Sequence, residues 1–235
     1  RRDEHGSRTY AIEDCTPNVL ELRDLLLANS QYTLVKLSPM LDWCKAVADF
    51  DGTVREVHIV ATGNECKELL LVLGQQVHEE PSAPRVFCVN DNQRIDYDSA
   101  AYTQGLRIGG KPLPEVKNYL YEPNASIMKA GCFDLVEERF GVTQVGPSSH
   151  LFVSATPVAD FPGRGFAIEA IGGMNKKDIK RLLNGTKQAN IAVRNFPLTA
   201  PQLRKKLKLA DGGPVYLFGT TMQGCDHVLL RTSKI

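Results

Sequence analysis

Phe166-Ala167-Ile168-Glu169-Ala170-Ile171-Gly172-Gly173-Met174-Asn175-Lys176-Lys177-Asp178-Ile179-Lys180-Arg181-Leu182-Leu183-Asn184-Gly185 changes its period halfway along, and that change decides the fold. Phe166–Ile171 reads as a strand closed by Gly172-Gly173. Asn175 then has the short amide side chain of a helix cap, with Asp178 in the first turn. Ile179, Leu182 and Leu183 form the apolar stripe, and Asn184-Gly185 is the stop. Downstream the pattern repeats. Ala189–Arg194 reads as a strand, Thr199–Leu209 as a helix, Asp211-Gly212-Gly213 as a turn, and Val215–Thr220 and His227–Arg231 as closing strands. A βαβαββ run of about 70 residues predicts a compact α+β module.

Upstream of it, Asn118–Tyr121 is strand-like, Asn124 caps a helix reaching about Ala130, Phe133–Phe140 is helical and Leu151–Ala155 is a strand. The N-terminal part reads differently. Thr16-Pro17 predicts a helix start, with Val19, Leu22, Leu25 and Leu26 at helical spacing and Asn29 at its end. Tyr32–Leu37 follows as a strand, Met40–Ala48 as a helix, and Val54–Thr62 with Cys66–Gly74 as a hairpin turning at Gly63-Asn64, at the edge of a mixed sheet. Pro84–Val89 adds a strand, but residues 75–115 otherwise read as irregular, with Pro81, Pro84, Pro112 and Pro114. This places a domain junction near 115: residues 1–115 form an α/β part and 116–235 an α+β part.

Charge separates the same two parts. Residues 141–235 carry 13 Lys/Arg against 5 Asp/Glu, and residues 1–140 carry 15 against 22, so the net +1 conceals a basic C-terminal part. A basic surface makes nucleic acid the default partner. The longest apolar run, Leu69–Leu73, is far short of a membrane span. The six cysteines form no CxxC pair, which excludes a zinc knuckle and suits a reduced, cytoplasmic compartment. His58 and His78 have no acidic or cysteine partner at ligand spacing, so no metal is expected. Ser148-Ser149-His150 lacks a nucleophile elbow, and adjacent strand residues face opposite ways, which argues against a hydrolase. No glycine-rich strand–helix turn, and no acid ending a second strand, marks a dinucleotide site.

Several segments carry a resemblance: residues 121–131 (Tyr121-Glu122-Pro123-Asn124-Ala125-Ser126-Ile127-Met128-Lys129-Ala130-Gly131), Ser149-His150-Leu151, Asp160-Phe161-Pro162-Gly163-Arg164, Arg194-Asn195-Phe196-Pro197, residues 203–209 and Asp211-Gly212-Gly213. In order and spacing they resemble the C-terminal part of bacterial class I S-adenosylmethionine-dependent methyltransferases with a THUMP-like domain. Cys66–Leu71 resembles the turn into the last strand of that methyltransferase core, and Arg1-Arg2-Asp3 resembles the tail of its motif IV. The resemblance implies the C-terminal portion of a Rossmann-like methyltransferase sheet, then a THUMP-like module. It implies S-adenosylmethionine as cofactor of the whole enzyme, with most of its binding residues ahead of Arg1, so that this chain alone holds no cofactor and is inactive. Arg1, Arg2 and Asp3 would then be a motif IV remnant. RNA is the implied substrate and partner.

The candidate RNA contacts are basic helix faces and one strand end. Lys176, Lys177, Lys180 and Arg181 lie on the first helix of the module, and Arg204, Lys205, Lys206 and Lys208 surround Leu203 and Leu207 on the second. With Leu203 and Leu207 buried, the cations face outward, either as an RNA-binding patch or as solvated faces. Arg194 and Asn195 stand with Phe196 at a strand end, where Phe196 reads as core. Arg164 could meet phosphate or pair with Asp160. Two alternatives remain: a non-catalytic RNA-binding module, and a protein-interaction platform whose acidic half meets a basic partner.

Overall fold

The computed structural model describes residues 11–75, 83–101, 117–224 and 227–235; Arg1, Arg2, Asp3 and His78 lie outside the described residues. Two compact units emerge: Arg1–Gln104 with Asn124–Cys132, and Gly105–Pro123 with Phe133–Ile235. A single cut at 115 therefore misses a return of the chain, because residues 124–132 belong to the first unit.

In the first unit, α1 (Arg23–Asn29), β1 (Tyr32–Leu37) and α2 (Trp43–Asp49) are followed by β2 (Val54–Thr62), β3 (Glu65–Gly74), β4 (Arg85–Asn90) and β5 (Gln93–Asp98). The helix α1 starts later than the sequence suggests. Thr16-Pro17 is a cis peptide in an irregular stretch, and the Asn18 side chain takes the Leu20 N–H into a local turn instead. In α2 the cap is Asp42, which accepts from Cys44 N and Lys45 N at 2.8 and 3.0 Å, so the helix begins at Trp43 rather than Met40. The sheet order is β1-β3-β2-β4-β5, antiparallel except for β2 with β4. The β2–β3 hairpin lies inside the sheet and not at its edge, because β1 and β4 pair with its two outer sides. The strand β5 escapes sequence reading because Ile95 and Tyr97 alternate with charged residues over only six positions. A helix α3 (Ala125–Ala130) covers one face, packing on β2, β3 and β4. Asn124 caps it through Ser126 N and Ile127 N and donates to Gln93 Oε1 at 2.9 Å.

The second unit holds β6 (Tyr119–Pro123), α4 (Phe133–Phe140), β7 (Thr143–Gln144), β8 (Phe152–Ser154), β9 (Gly163–Gly173), α5 (Lys176–Leu183), β10 (Asn190–Arg194), α6 (Ala200–Leu207), β11 (Val215–Thr221) and β12 (His227–Lys234). The βαβαββ order is the one the sequence predicts. Its seven-stranded sheet runs β10-β11-β12-β9-β6-β8-β7, with β10 and β11 parallel across α6 and every other pair antiparallel. Alternation divides the side chains between two cores. Leu120, Val153, Phe166, Phe218 and Leu230 fill one face, whereas Leu217 and Leu229 meet Leu182, Leu203 and Leu207 of the helices on the other. Arg194 of β10 nevertheless reaches Glu122 of β6, at 2.8 Å. Four strand spacings would put those strands about 19 Å apart in a flat sheet, so the sheet curls around the first of these cores. Gly163 allows the tight approach of β9 to β6, since a Cβ there would sit 2.1 Å from Glu122 O.

Candidate nucleic-acid interface

Both helices of the module pack into the same core, so they cover one face of the sheet. In α5 the Asn175 cap accepts from Asp178 N at 2.9 Å, and Asn184 ends the helix in the left-handed conformation, φ 43°. The Asp178 carboxylate accepts from Gly173 N at 2.9 Å. That bond, with help from Asn175 and Arg181, holds its carboxyl below the usual carboxylate range. In α6 a capping box joins Thr199 and Gln202, and Leu203 and Leu207, four residues apart, face inward.

Of the ten candidate contacts, Lys176, Lys177, Lys180, Arg181, Asn195, Lys205, Lys206 and Lys208 are exposed and Arg194 and Arg204 half-buried. None of the six lysines forms a side-chain hydrogen bond or an ion pair among the described residues. Lys208 is also the left-handed cap of α6, φ 57°. The other four are engaged within the fold. Arg204 donates to Ala189 O and Ala210 O at 2.8 and 2.9 Å and pairs with Asp211, so it braces a loop. Arg181 donates to Ile171 O at 2.7 Å. Asn195 donates to Pro147 O at 2.8 Å. Arg194 pairs with Glu122.

Glu122 is the residue that sequence reading missed. It is 3% exposed and carries two ion pairs, with Arg194 through Oε1 and with Arg164 through Oε2. Arg164 therefore pairs with Glu122 and not with Asp160. A signal existed in the sequence: an acid two residues beyond Leu120 faces the same side as that leucine and needs cationic partners once buried. His150 lies near this cluster, stacked on Phe133 with ring centroids 4.6 Å apart. Burial and then Arg194 push its pKa below the ordinary histidine value. Ser149 is no nucleophile for it, since its hydroxyl donates to Gly146 O at 2.7 Å. Phe196 is partly buried against the helix core.

In the first unit, burial raises the Cys44 thiol to about 11 and also raises Cys66, while a hydrogen bond with Cys132 and then burial raise Cys88, so these sulfurs stay protonated. His58 stacks on Phe87 and bonds Glu56 at 2.8 Å. Among the described residues no three His, Cys, Asp or Glu converge as a metal site, and no helix is long and apolar enough to cross a membrane.

Residues 119–162 match a family described as a ferredoxin-like domain, and residues 163–234 match one described as THUMP domain-like. The chain also resembles a solved crystal structure, that of a "putative methyltransferase" from Porphyromonas gingivalis W83. The two are 33% identical with a TM-score of 0.84, over 97% of this chain and 57% of that one. This chain thus spans little more than half the length of that protein. No curated protein matches it.

Proposed function

We propose that this chain is the C-terminal part of an S-adenosylmethionine-dependent methyltransferase acting on RNA. In this reading the first unit is the trailing portion of a Rossmann-like catalytic sheet, and the THUMP-like module of residues 163–234 grips RNA through its lysines. The observation that carries the reading is the 33% identity to the Porphyromonas gingivalis structure across almost the entire chain.

The state of β1 supports it. Among the described residues this strand ends its sheet with one side unpaired, and its outward residues Tyr32 and Leu34 are 62% and 63% exposed, with Leu25 and Met40 nearby in sequence and as bare. An apolar groove of about 310 Å³ runs along that strand, lined by Ile12, Pro17, Leu26, Leu34 and Leu41 among others. A bare apolar edge is where a further strand of a larger sheet would pair. The β1–α2 junction does not supply the glycine-rich turn that S-adenosylmethionine would need. It reads Ser38-Pro39-Met40-Leu41-Asp42, with no glycine to let a backbone approach a ligand. The cofactor would be held by the remaining part of the longer protein.

On the RNA side, the THUMP-like match, the five exposed lysines of α5 and α6 and the exposed cap residue Lys208 support phosphate-backbone contact. Calorimetry of S-adenosylmethionine against the protein extended to the length of its relative tests the enzyme reading. Heat with the extended protein and none with this chain is expected; no heat with either favours a non-catalytic RNA-binding module. A gel shift with structured RNA that is absent, or indifferent to salt, favours a protein-interaction platform.

A further inference from the structure

Arg164 and Arg194 flank one buried acid where the ferredoxin-like segment gives way to the THUMP-like one, Glu122 coming from the first and both arginines from the second. Two cations against one anion leave a local surplus of +1. The geometry keeps that surplus open to solvent: Glu122 is 3% exposed, but the Arg164 and Arg194 side chains are 44% and 40% exposed. Glu122 thus fixes both guanidinium forks from below without covering them.

Donors remain unused. Arg164 gives Nε and one terminal nitrogen to Glu122, and its other terminal nitrogen has no partner among the described residues. Arg194 gives one terminal nitrogen to Glu122 and makes only a 3.5 Å contact to Val193 O with the other. Among the described residues its buried Nε meets no acceptor, and the buried hydroxyl of Thr220 has no partner either. The two are neighbours, because Arg194 and Thr220 are register partners in the parallel β10–β11 pair. Ala192 and Phe218, two residues before each, belong to the core inside the curl, so both side chains lie on that side, opposite α5 and α6. Unsatisfied buried donors beside fixed, half-exposed guanidinium forks call for an acceptor with several oxygens and negative charge.

We propose that Arg164 and Arg194, held by Glu122, form an oxyanion site that takes a phosphate group of the RNA backbone, separate from the lysine faces of α5 and α6. The phosphate chemistry stands on these residues alone, while RNA as its source rests on the function proposed above.

Inorganic phosphate is the probe, with the Arg Nε–H resonances of the chain as readout. A saturable shift of the Arg194 resonance at millimolar phosphate is expected. The same shift with chloride or acetate at matched ionic strength, or no shift at all, overturns the site. Arg164→Lys and Arg194→Lys keep the charge but lose the fork, and each should weaken phosphate binding about tenfold; unchanged affinity in both also overturns it. Should either variant unfold, the wild-type titration still decides. An oligoribonucleotide is then added to the phosphate-bound protein. Displacement of phosphate supports RNA as the source. Phosphate bound but not displaced leaves the oxyanion site standing and counts against RNA. A salt-sensitive RNA shift without any phosphate response removes the site and leaves the lysine faces as the contact.

Discussion

Glu122 ties β6 to β9 through Arg164 and to β10 through Arg194, so one side chain fastens three strands of a curled sheet. Glu122→Gln leaves both arginines short of their anion. It should lower stability by about 1–3 kcal/mol, discounted for the half-exposed guanidinium groups, as read by chemical denaturation. His150 offers a test by pH. Burial and the Arg194 charge depress its folded pKa, so the unfolded chain takes the proton first. Its contribution is complete above the unfolded value of about 6.5 and is lost as pH falls from there through the folded value. Denaturation at about pH 7.5 and about pH 5.5 should therefore show a smaller loss for His150→Asn than for the wild type. Asparagine also tolerates the positive φ of 52° at that position. An equal loss in both would assign the acid sensitivity elsewhere.

At the scale of elements, α5 and α6 were legible in the sequence because their caps are local chemistry. Asn175, Asn184 and Thr199 each satisfy backbone groups within a few residues of themselves. Leu207 is the inward residue that pins the last turn of α6. Leu207→Ala should cost about 2–5 kcal/mol. Lys206→Ala, one residue away and exposed, should change stability by less than about 0.5 kcal/mol, and thermal melts of the two variants check the contrast. The start of α1 and the strand β5 were not legible. In α1 the turn at Asn18 competes with the helix start that Thr16-Pro17 suggested. In β5 the pairing is with β4, supported by the ion pair of Arg85 with Asp96, and six half-charged residues do not reveal a partner elsewhere in the chain.

For the molecule as a whole, the basic surplus of residues 141–235 resolves into two populations. Charge reversal at Lys205, Lys206 and Lys208 should weaken RNA binding and flatten its salt dependence without unfolding the chain, as gel shifts across a salt series would show. Reversal of Arg204 should cost stability as well, because it holds Ala189, Ala210 and Asp211. The bare edge at β1 predicts concentration-dependent self-association of this chain, reduced by Leu34→Lys and measurable by sedimentation. The sequence alone determined the order of elements in the basic module, the caps of α5, the inward leucines and the excess of positive charge, since all of these follow from neighbours along the chain. Only the tertiary structure decided which arginines are committed inside the fold, that the β2–β3 hairpin is central, and that residues 124–132 return to the first unit. Such outcomes depend on partners tens of residues away, as Arg194 does on Glu122, and a linear pattern carries no record of which strands the curling of a sheet will bring together.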